Sequence, residues 1–333
     1  MSLGRTPGER TLGREVETLE WLQEKTIDPF PFLLVNPQKA FMNPVTSKTR
    51  AIFLILLSGI FYGGFSFFGV KILSAPLSIN SMLFWRFLIA TASMIFVCMV
   101  SKPPLPKTMT PWVVDFLLGA VLYGGGSAIY FMATETIGTG LAMVIFFSYP
   151  AMVILFSRVI DGTPITRNSF ISLGLVFLGF ILMSGQNEIY FSWRGAFLSG
   201  LGAFLYAAYV YISKRQLEAA HPLISTLTQC LGGCILFYLL AQGEGGLQIP
   251  VQTSTWIYCI LIGLLCTSIP IVLLLKGLKT IDAGKAALLT VLEPLITLLL
   301  GTAFLNERLD SLQIVGMALI LVGAVSAQFA AKS

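Results

Sequence analysis

Long apolar runs alternate with short polar connections along most of this chain. Stretches such as 51–70, 82–100 and 310–330 are each close to the ~20 residues that a helix needs to cross the hydrocarbon core of a bilayer. Strands are excluded, because a transmembrane barrel shows short alternating segments instead of unbroken apolar runs. The pattern predicts an all-α integral membrane protein with ten transmembrane helices, called spans one to ten, at about 51–71, 80–100, 112–134, 139–159, 167–185, 194–213, 222–241, 255–277, 283–303 and 310–330.

Charge adds an orientation to this pattern. The chain is 56% hydrophobic and only 11% charged, against roughly 25% in a soluble domain. With a cytoplasmic N-terminus, the outer connections hold three basic residues, namely Lys71, Arg194 and Arg308, and the inner connections hold nine, namely Lys102, Lys107, Arg158, Arg167, Lys214, Arg215, Lys276, Lys279 and Lys285. This positive-inside bias predicts that both termini are cytoplasmic. The net charge of +5 therefore reflects membrane topology and not a nucleic-acid partner.

Residues 1–50 differ from the rest of the chain. They are polar and contain five prolines, which interrupt any helix longer than about 14–25. No apolar stretch precedes a small-residue cleavage site, so a cleaved signal peptide is not predicted. Three interpretations stay open: a cytoplasmic tail, a true translation start at Met42, and a helix that binds a partner.

Cysteine and histidine usage argues against metal or triad chemistry. The five cysteines all lie inside predicted spans, and His221 is the single histidine. Cys230 and Cys234 are four residues apart on one helical face, but no second cluster accompanies them. Buried thiols that act as small apolar residues are the favoured interpretation. No catalytic residue, metal or cofactor is predicted.

The second half of the chain repeats the first at an offset of 144 residues. Pro150 aligns with Pro294 (294 − 150 = 144) without a gap. The same offset aligns Tyr62 with Tyr206, Trp112 with Trp256, Gly119 with Gly263, Ile137 with Ile281, Gly140 with Gly284, Ala142 with Ala286, Leu155 with Leu299 and Gly179 with Gly323. The two copies are predicted at 51–185 and 194–330. Each copy contains five spans, and because five is odd, the second is inverted in the membrane, as in many secondary transporters.

Several segments resemble a known family. "GIFYGGFSFFGVK" (59–71), "TIGTGLAMVIFFSYP" (136–150) and, above all, "KTIDAGKAALLTVLEPLITLLLGTAFLNERLDSLQIVGMALILVG" (279–323) resemble EamA-type members of the drug/metabolite transporter superfamily. The resemblance covers about 51–330. It implies ten helices in a 5+5 inverted repeat, a central substrate cavity and efflux of amino acids or other small metabolites. The first copy departs from the family pattern at "DGTP" (161–164), which places Thr163 where the second copy has Glu307.

Glu293 and Pro294 lie together near the centre of span nine. An ionisable group at that depth costs about 2.5 kcal/mol or more, and it normally faces a cavity or a partner. Pro294 removes a backbone donor near Thr290, and Pro150 makes the same break near Phe146 in span four. Matched broken helices at the midplane indicate a transport site. Glu293 is predicted to bind substrate, with a carboxyl that only fixes helix packing as the alternative.

Further side chains are predicted to line the same cavity. Tyr62 and Tyr206, one in each copy, would offer a ring face and a hydrogen-bonding hydroxyl, as would Tyr123 and Tyr149. Tyr149 also occupies the place of Glu293 in the first copy. Packing between helices is the alternative for all four. Arg86 would bind a substrate carboxylate or extend to the interface beside Trp85.

These features together favour a secondary transporter in a bacterial inner membrane. An intramembrane enzyme needs a pair of catalytic groups, a channel needs a filter or a ring of residues, and an ATP-driven pump needs a phosphate loop; the sequence shows none of these motifs. We expect alternating access between the two copies, with Glu293 exchanging a proton or contacting a substrate amine. The expected partners are the bilayer, a small molecule and protons as a coupling ion, in a monomer or homodimer. An amino acid is the predicted substrate, with nucleotide-linked metabolites or sugar phosphates as the alternative.

Overall fold

The computed structural model describes residues 44–183, 192–290, 292–305 and 311–329. Within these residues the secondary structure is helical, without a β-strand. The helices are Pro44–Tyr62, Phe65–Leu73, Ile79–Ser101, Thr110–Leu117, Gly126–Phe146, Tyr149–Asp161, Arg167–Met183, Trp193–Gln216, Pro222–Gly243, Thr253–Gly263, Ile269–Leu278, Ala283–Leu289, Leu292–Leu305 and Ser311–Phe329, with π-helical turns at Leu118–Gly125 and Leu264–Ser268.

The helices occupy the ten predicted spans. Seven helical segments of the described chain are long and apolar enough to cross a membrane; they correspond to spans one to four and six to eight. Arg167–Met183, Ala283–Leu289 with Leu292–Leu305, and Ser311–Phe329 lie at spans five, nine and ten. The prediction of an all-α integral membrane protein is confirmed.

The first helix begins earlier than the sequence predicts. It starts at Pro44, inside the range assigned to the polar tail. Proline fits the first turn of a helix, because the backbone donor that it lacks has no partner there. Seven residues of the predicted tail are therefore helical. The rest of that tail, including Met42, lies outside the described residues.

Breaks divide several spans where proline or glycine permits them. In span four one helix ends at Phe146 and the next begins at Tyr149, with Pro150 in its first turn. In span nine one helix ends at Leu289 and the next begins at Leu292, just before Pro294. Gly138 has a φ of 77°, which favours glycine, and it separates spans three and four.

The two halves pack as an inverted repeat requires. Span one packs against span eight and span six against span three, whereas spans two and seven, four and nine, and five and ten pair directly. Exchanging the two halves leaves this set of pairs unchanged. Glycines support the same symmetry: a Cβ on Gly119 would overlap the backbone oxygen of Gln229 in span seven, and one on Gly263 would lie 2.9 Å from the backbone oxygen of Arg86 in span two.

A half-buried histidine at the start of span seven makes stability depend on pH. His221 Nδ1 accepts a hydrogen bond from the Leu223 amide at 3.3 Å, which requires an unprotonated nitrogen. Burial lowers the pKa of His221 to about 4, and the charges of Lys279 and Lys276 act in the same direction. The unfolded chain takes up this proton near pH ~6.5, so this stability is complete above that value and is lost as the pH falls towards about 4.

We expect His221→Asn to weaken this dependence, because asparagine retains a capping oxygen without titrating. The measurement is the melting temperature of detergent-solubilised protein at about pH 7 and about pH 5. The decrease should be larger for the wild type than for the variant. Equal decreases would show that His221 does not contribute.

Candidate functional site

A small cavity lies between the two halves, beside the breaks in spans four and nine. Its volume is about 30 Å³, which is room for one or two water molecules. Five of the six predicted binding residues line it: Glu293, Tyr62, Tyr206, Tyr123 and Arg86. The remaining lining residues are Phe65, Gly126, Ser127, Tyr130, Met143, Phe146 and Phe147.

Arg86 lies inside the bundle and does not extend to the interface. Its side chain is 1% exposed. The guanidinium donates from Nε to Thr267 Oγ1 at 2.6 Å, from one terminal nitrogen to the Tyr123 hydroxyl at 2.5 Å and from the other to Ser127 Oγ at 3.3 Å. It also stacks over the Phe65 ring, 4.4 Å from the centroid. The interface interpretation is therefore wrong, because these partners hold the charge at the cavity wall.

The two π-helical turns hold Arg86 from both copies. Tyr123 lies in the turn of span three and Thr267 in the turn of span eight. These residues are related by the repeat offset (267 − 123 = 144). A π-helical turn widens the helix locally and is frequent at functional sites. At this repeat position each half thus supplies one hydrogen-bond acceptor for Arg86.

Glu293 faces Arg86's cavity from the first turn of the helix after the break. It is 8% exposed, and its backbone amide donates to the Thr290 carbonyl at 3.0 Å. Among the described residues, no side chain donates a hydrogen bond to its carboxylate. Span nine is held close to span one here, where Thr297 Oγ1 donates to the Gly63 carbonyl at 2.8 Å. The carboxylate is therefore positioned without being neutralised by an ion pair in the described part of the chain.

The tyrosines form a connected aromatic wall. The Tyr62 hydroxyl is buried and lies beside that of Tyr123. The Tyr206 ring packs edge-on against Tyr149 with centroids 4.8 Å apart and lies 6.2 Å from Tyr123. Tyr149 stands behind this wall, because its hydroxyl is hydrogen-bonded to that of Thr290. It joins the broken segments of spans four and nine and does not line the cavity.

The prolines act through the residues beside them. Neither Pro150 nor Pro294 is among the lining residues, whereas Phe146, Phe147 and Glu293 are. Each proline lies in the first turn of the helix that follows a break, and the lining residues come just before it in the sequence. The sequence identified both breaks. The side chains that reach the cavity are those of residues next to the prolines, and not the prolines themselves.

Sequence reasoning missed the small polar groups of the site. Ser127 and Thr267 accept hydrogen bonds from Arg86, and the Thr290 carbonyl accepts one from the Glu293 amide. Hydroxyl residues are frequent in membrane helices, so each one alone carried no signal. The repeat offset that pairs Tyr123 with Thr267 was the available indication.

A second cavity of about 340 Å³ lies at the end of the bundle that the positive-inside bias predicts to be cytoplasmic. Both halves line it. Arg215 of span six forms an ion pair with Asp161 of span four, and Lys285 Nζ lies 3.9 Å from Asp282 Oδ2. Lys214 donates to the Leu278 carbonyl at 2.5 Å. The Arg215–Asp161 ion pair therefore connects the two halves at this end of the molecule.

Comparisons with known proteins agree with this architecture. A model described as the EamA-like transporter family matches residues 49–185 and again 193–327. The uncharacterized transporter YcbK of Bacillus subtilis is 24% identical over 254 residues, which cover 71% of this chain and 79% of that protein. The threonine/homoserine exporter RhtA of Salmonella typhimurium is 26% identical over 210 residues, covering 61% of this chain and 66% of that protein. A crystal structure at 17% identity superposes with a TM-score of 0.74 over 84% of this chain and 97% of the other, which shows the shared fold.

Proposed function

Because the chain belongs to the EamA-like transporter family, we propose that it exports a zwitterionic amino acid from the cytoplasm across a bacterial inner membrane. The named function of a relative, threonine and homoserine export, supports this substrate class. The repeats of the proposal are 51–185 and 194–330, with both termini in the cytoplasm, as the positive-inside bias indicates.

One observation carries the substrate class: Arg86 and Glu293 bring opposite charges to one buried cavity. A free amino acid carries a carboxylate and an ammonium group a few bonds apart. Arg86 would bind the carboxylate, because a guanidinium presents several donors in a plane. Glu293 would accept hydrogen bonds from the ammonium group, and the Tyr62 hydroxyl at the cavity wall would contact a polar substrate side chain.

The sugar-phosphate alternative receives less support from the lining residues. A phosphate monoester carries close to two negative charges and is usually bound by several basic groups. Among the described lining residues Arg86 is the one basic side chain, and Glu293 would repel a phosphate. An amino acid neutralises both charges at once.

The closed geometry supports alternating access. At about 30 Å³ the central cavity is smaller than an amino acid, so the two repeats must separate to admit one. On the predicted inner side they are joined by Arg215 with Asp161 and by Tyr149 with Thr290. Opening towards the cytoplasm would break these two contacts, and the larger inner cavity would then lead to the central one.

We expect Glu293→Gln to lower threonine export by about tenfold or more, because the uncharged amide retains the shape but loses the ammonium-binding charge. The measurement is threonine in the medium of cells that express the wild type, the variant or an empty vector at matched membrane levels. Glu135→Gln is the matched control, since Glu135 is exposed. Equal export by the Glu293 variant and the wild type would contradict the assigned role.

A further inference from the structure

A second buried carboxylate lies apart from the central cavity. Asp115 is 1% exposed and sits in span three, immediately before the π-helical turn Leu118–Gly125. In the sequence Asp115 lies only one turn inside the predicted span, a position that does not by itself indicate burial. A buried ionisable side chain within a membrane helix is costly and is usually functional.

Hydrogen bonds connect Asp115 to the wall of the central cavity. Gln229 Nε2 donates to Asp115 Oδ1 at 3.1 Å, and the Tyr209 hydroxyl donates to Gln229 Oε1 at 2.9 Å. The Tyr209 ring lies 5.0 Å from that of Tyr123 and stacks 5.7 Å from that of Tyr206. Both of these tyrosines line the cavity. Asp115 is thus two hydrogen bonds and one ring contact from the substrate site.

The surroundings of Asp115 are polar and uncharged. Gln229 and Ser225 of span seven and Gln216 of span six face the carboxylate. The Ser225 hydroxyl lies beside Asp115 and the Ser213 hydroxyl beside Tyr209, so both belong to the same buried polar network.

Solvent comes within about one helical turn of this carboxylate. A cavity of about 400 Å³ at the predicted inner end is lined by Pro111, which precedes Asp115 by four residues on the same helix. Four residues of helix rise about 6 Å. A proton from the cytoplasmic solvent therefore has a short route to Asp115, whereas the central cavity lies further inside.

Building on the proposed transport function, we propose that Asp115 is the proton-binding site that couples transport to the proton gradient. The ionised carboxylate accepts from the Gln229 amide, which leaves Gln229 Oε1 to accept from Tyr209. The protonated carboxyl instead donates a hydrogen bond to Gln229 Oε1. The side-chain amide therefore flips and presents its NH₂ group to the Tyr209 hydroxyl. Tyr209 then changes from donor to acceptor, and the change reaches Tyr123 and Tyr206 through the packed rings.

The transport test compares two modes in proteoliposomes with labelled threonine. Exchange of external for internal threonine needs no net proton movement, whereas accumulation driven by a pH gradient does. For Asp115→Asn we expect the ratio of gradient-driven accumulation to exchange to fall by about tenfold or more. Tyr209→Phe should lower the same ratio, because it removes the hydroxyl that is hydrogen-bonded to the Gln229 amide. Glu135→Gln, an exposed carboxylate outside these cavities, is the control. An unchanged ratio in Asp115→Asn overturns the proposal.

A second measurement does not depend on the substrate. A hydrophobic carbodiimide modifies protonated carboxyl groups, so we expect it to label Asp115 in a Glu293→Gln background. Peptide mass spectrometry should show an adduct that decreases as the pH rises and that Asp115→Asn abolishes. Absence of the adduct, or labelling independent of pH, overturns the proposal. If wild-type proteoliposomes do not transport threonine, the proposed substrate fails, and the labelling result alone decides the role of Asp115.

Discussion

Replacement of Arg86 by leucine is expected to eliminate amino acid export. Thr267, Tyr123 and Ser127 each lose the donor that the guanidinium supplies, and leaving a buried acceptor unpaired costs about 1–3 kcal/mol. The variant also leaves Glu293 as the single charge among the described lining residues. Substrate binding then lacks its carboxylate partner, and folding is weakened at the same time.

Arg86→Lys separates these two effects. Lysine keeps the charge but cannot span acceptors on spans three and eight, so we expect export to fall by about tenfold while expression is retained. Threonine export and the melting temperature are measured together, with Arg194→Leu as the control because Arg194 is exposed. Export at the wild-type rate by a well-expressed Arg86→Leu protein would place the substrate site elsewhere.

Gly119→Ala is expected to destabilise the protein more than any other alanine substitution proposed here. An added Cβ would overlap the backbone oxygen and Cα of Gln229, and neither atom belongs to a flexible side chain that could move aside. Overpacking of this kind costs typically about 1–3 kcal/mol, and here it would also push span seven and the Asp115–Gln229 contact away from span three.

The matched control is Gly174→Ala in span five. A Cβ at Gly174 would meet no atom within 4 Å, so the better helix propensity of alanine should leave stability unchanged or slightly higher. Melting temperatures of the two variants in the same detergent test the difference. Equal melting temperatures would show that spans three and seven separate without cost, contrary to the packing described above.

The two halves share a scaffold but not its charges. At the repeat offset Arg86 corresponds to Cys230, and Glu293 corresponds to Tyr149. Both charged residues of the cavity therefore occur once, on opposite halves. The symmetric parts, such as the glycine contacts and π-helical turns, build a cavity that both halves enclose. The unique charges make that cavity asymmetric, as a binding site for a zwitterion requires.

The sequence by itself determined the parts that depend on local chemistry. Apolar length predicted the spans, the offset of 144 residues predicted the repeat, and Pro150 and Pro294 marked the helix breaks. It also selected Glu293, because a carboxylate is conspicuous at the centre of an apolar run. These signals lie within one segment or in a direct comparison of two, so no knowledge of packing was needed.

Only the tertiary structure decided where the other polar side chains point. Arg86 lies near Trp85 and the interface in sequence, but its acceptors on spans three and eight turn it into the bundle. In the sequence Asp115 resembles a polar residue at the end of a span, but in the structure packing against Gln229 buries it. Their partners are separated by 37 to 181 residues along the chain, and hydrogen bonds over such distances depend on how the helices pack, which no local pattern encodes.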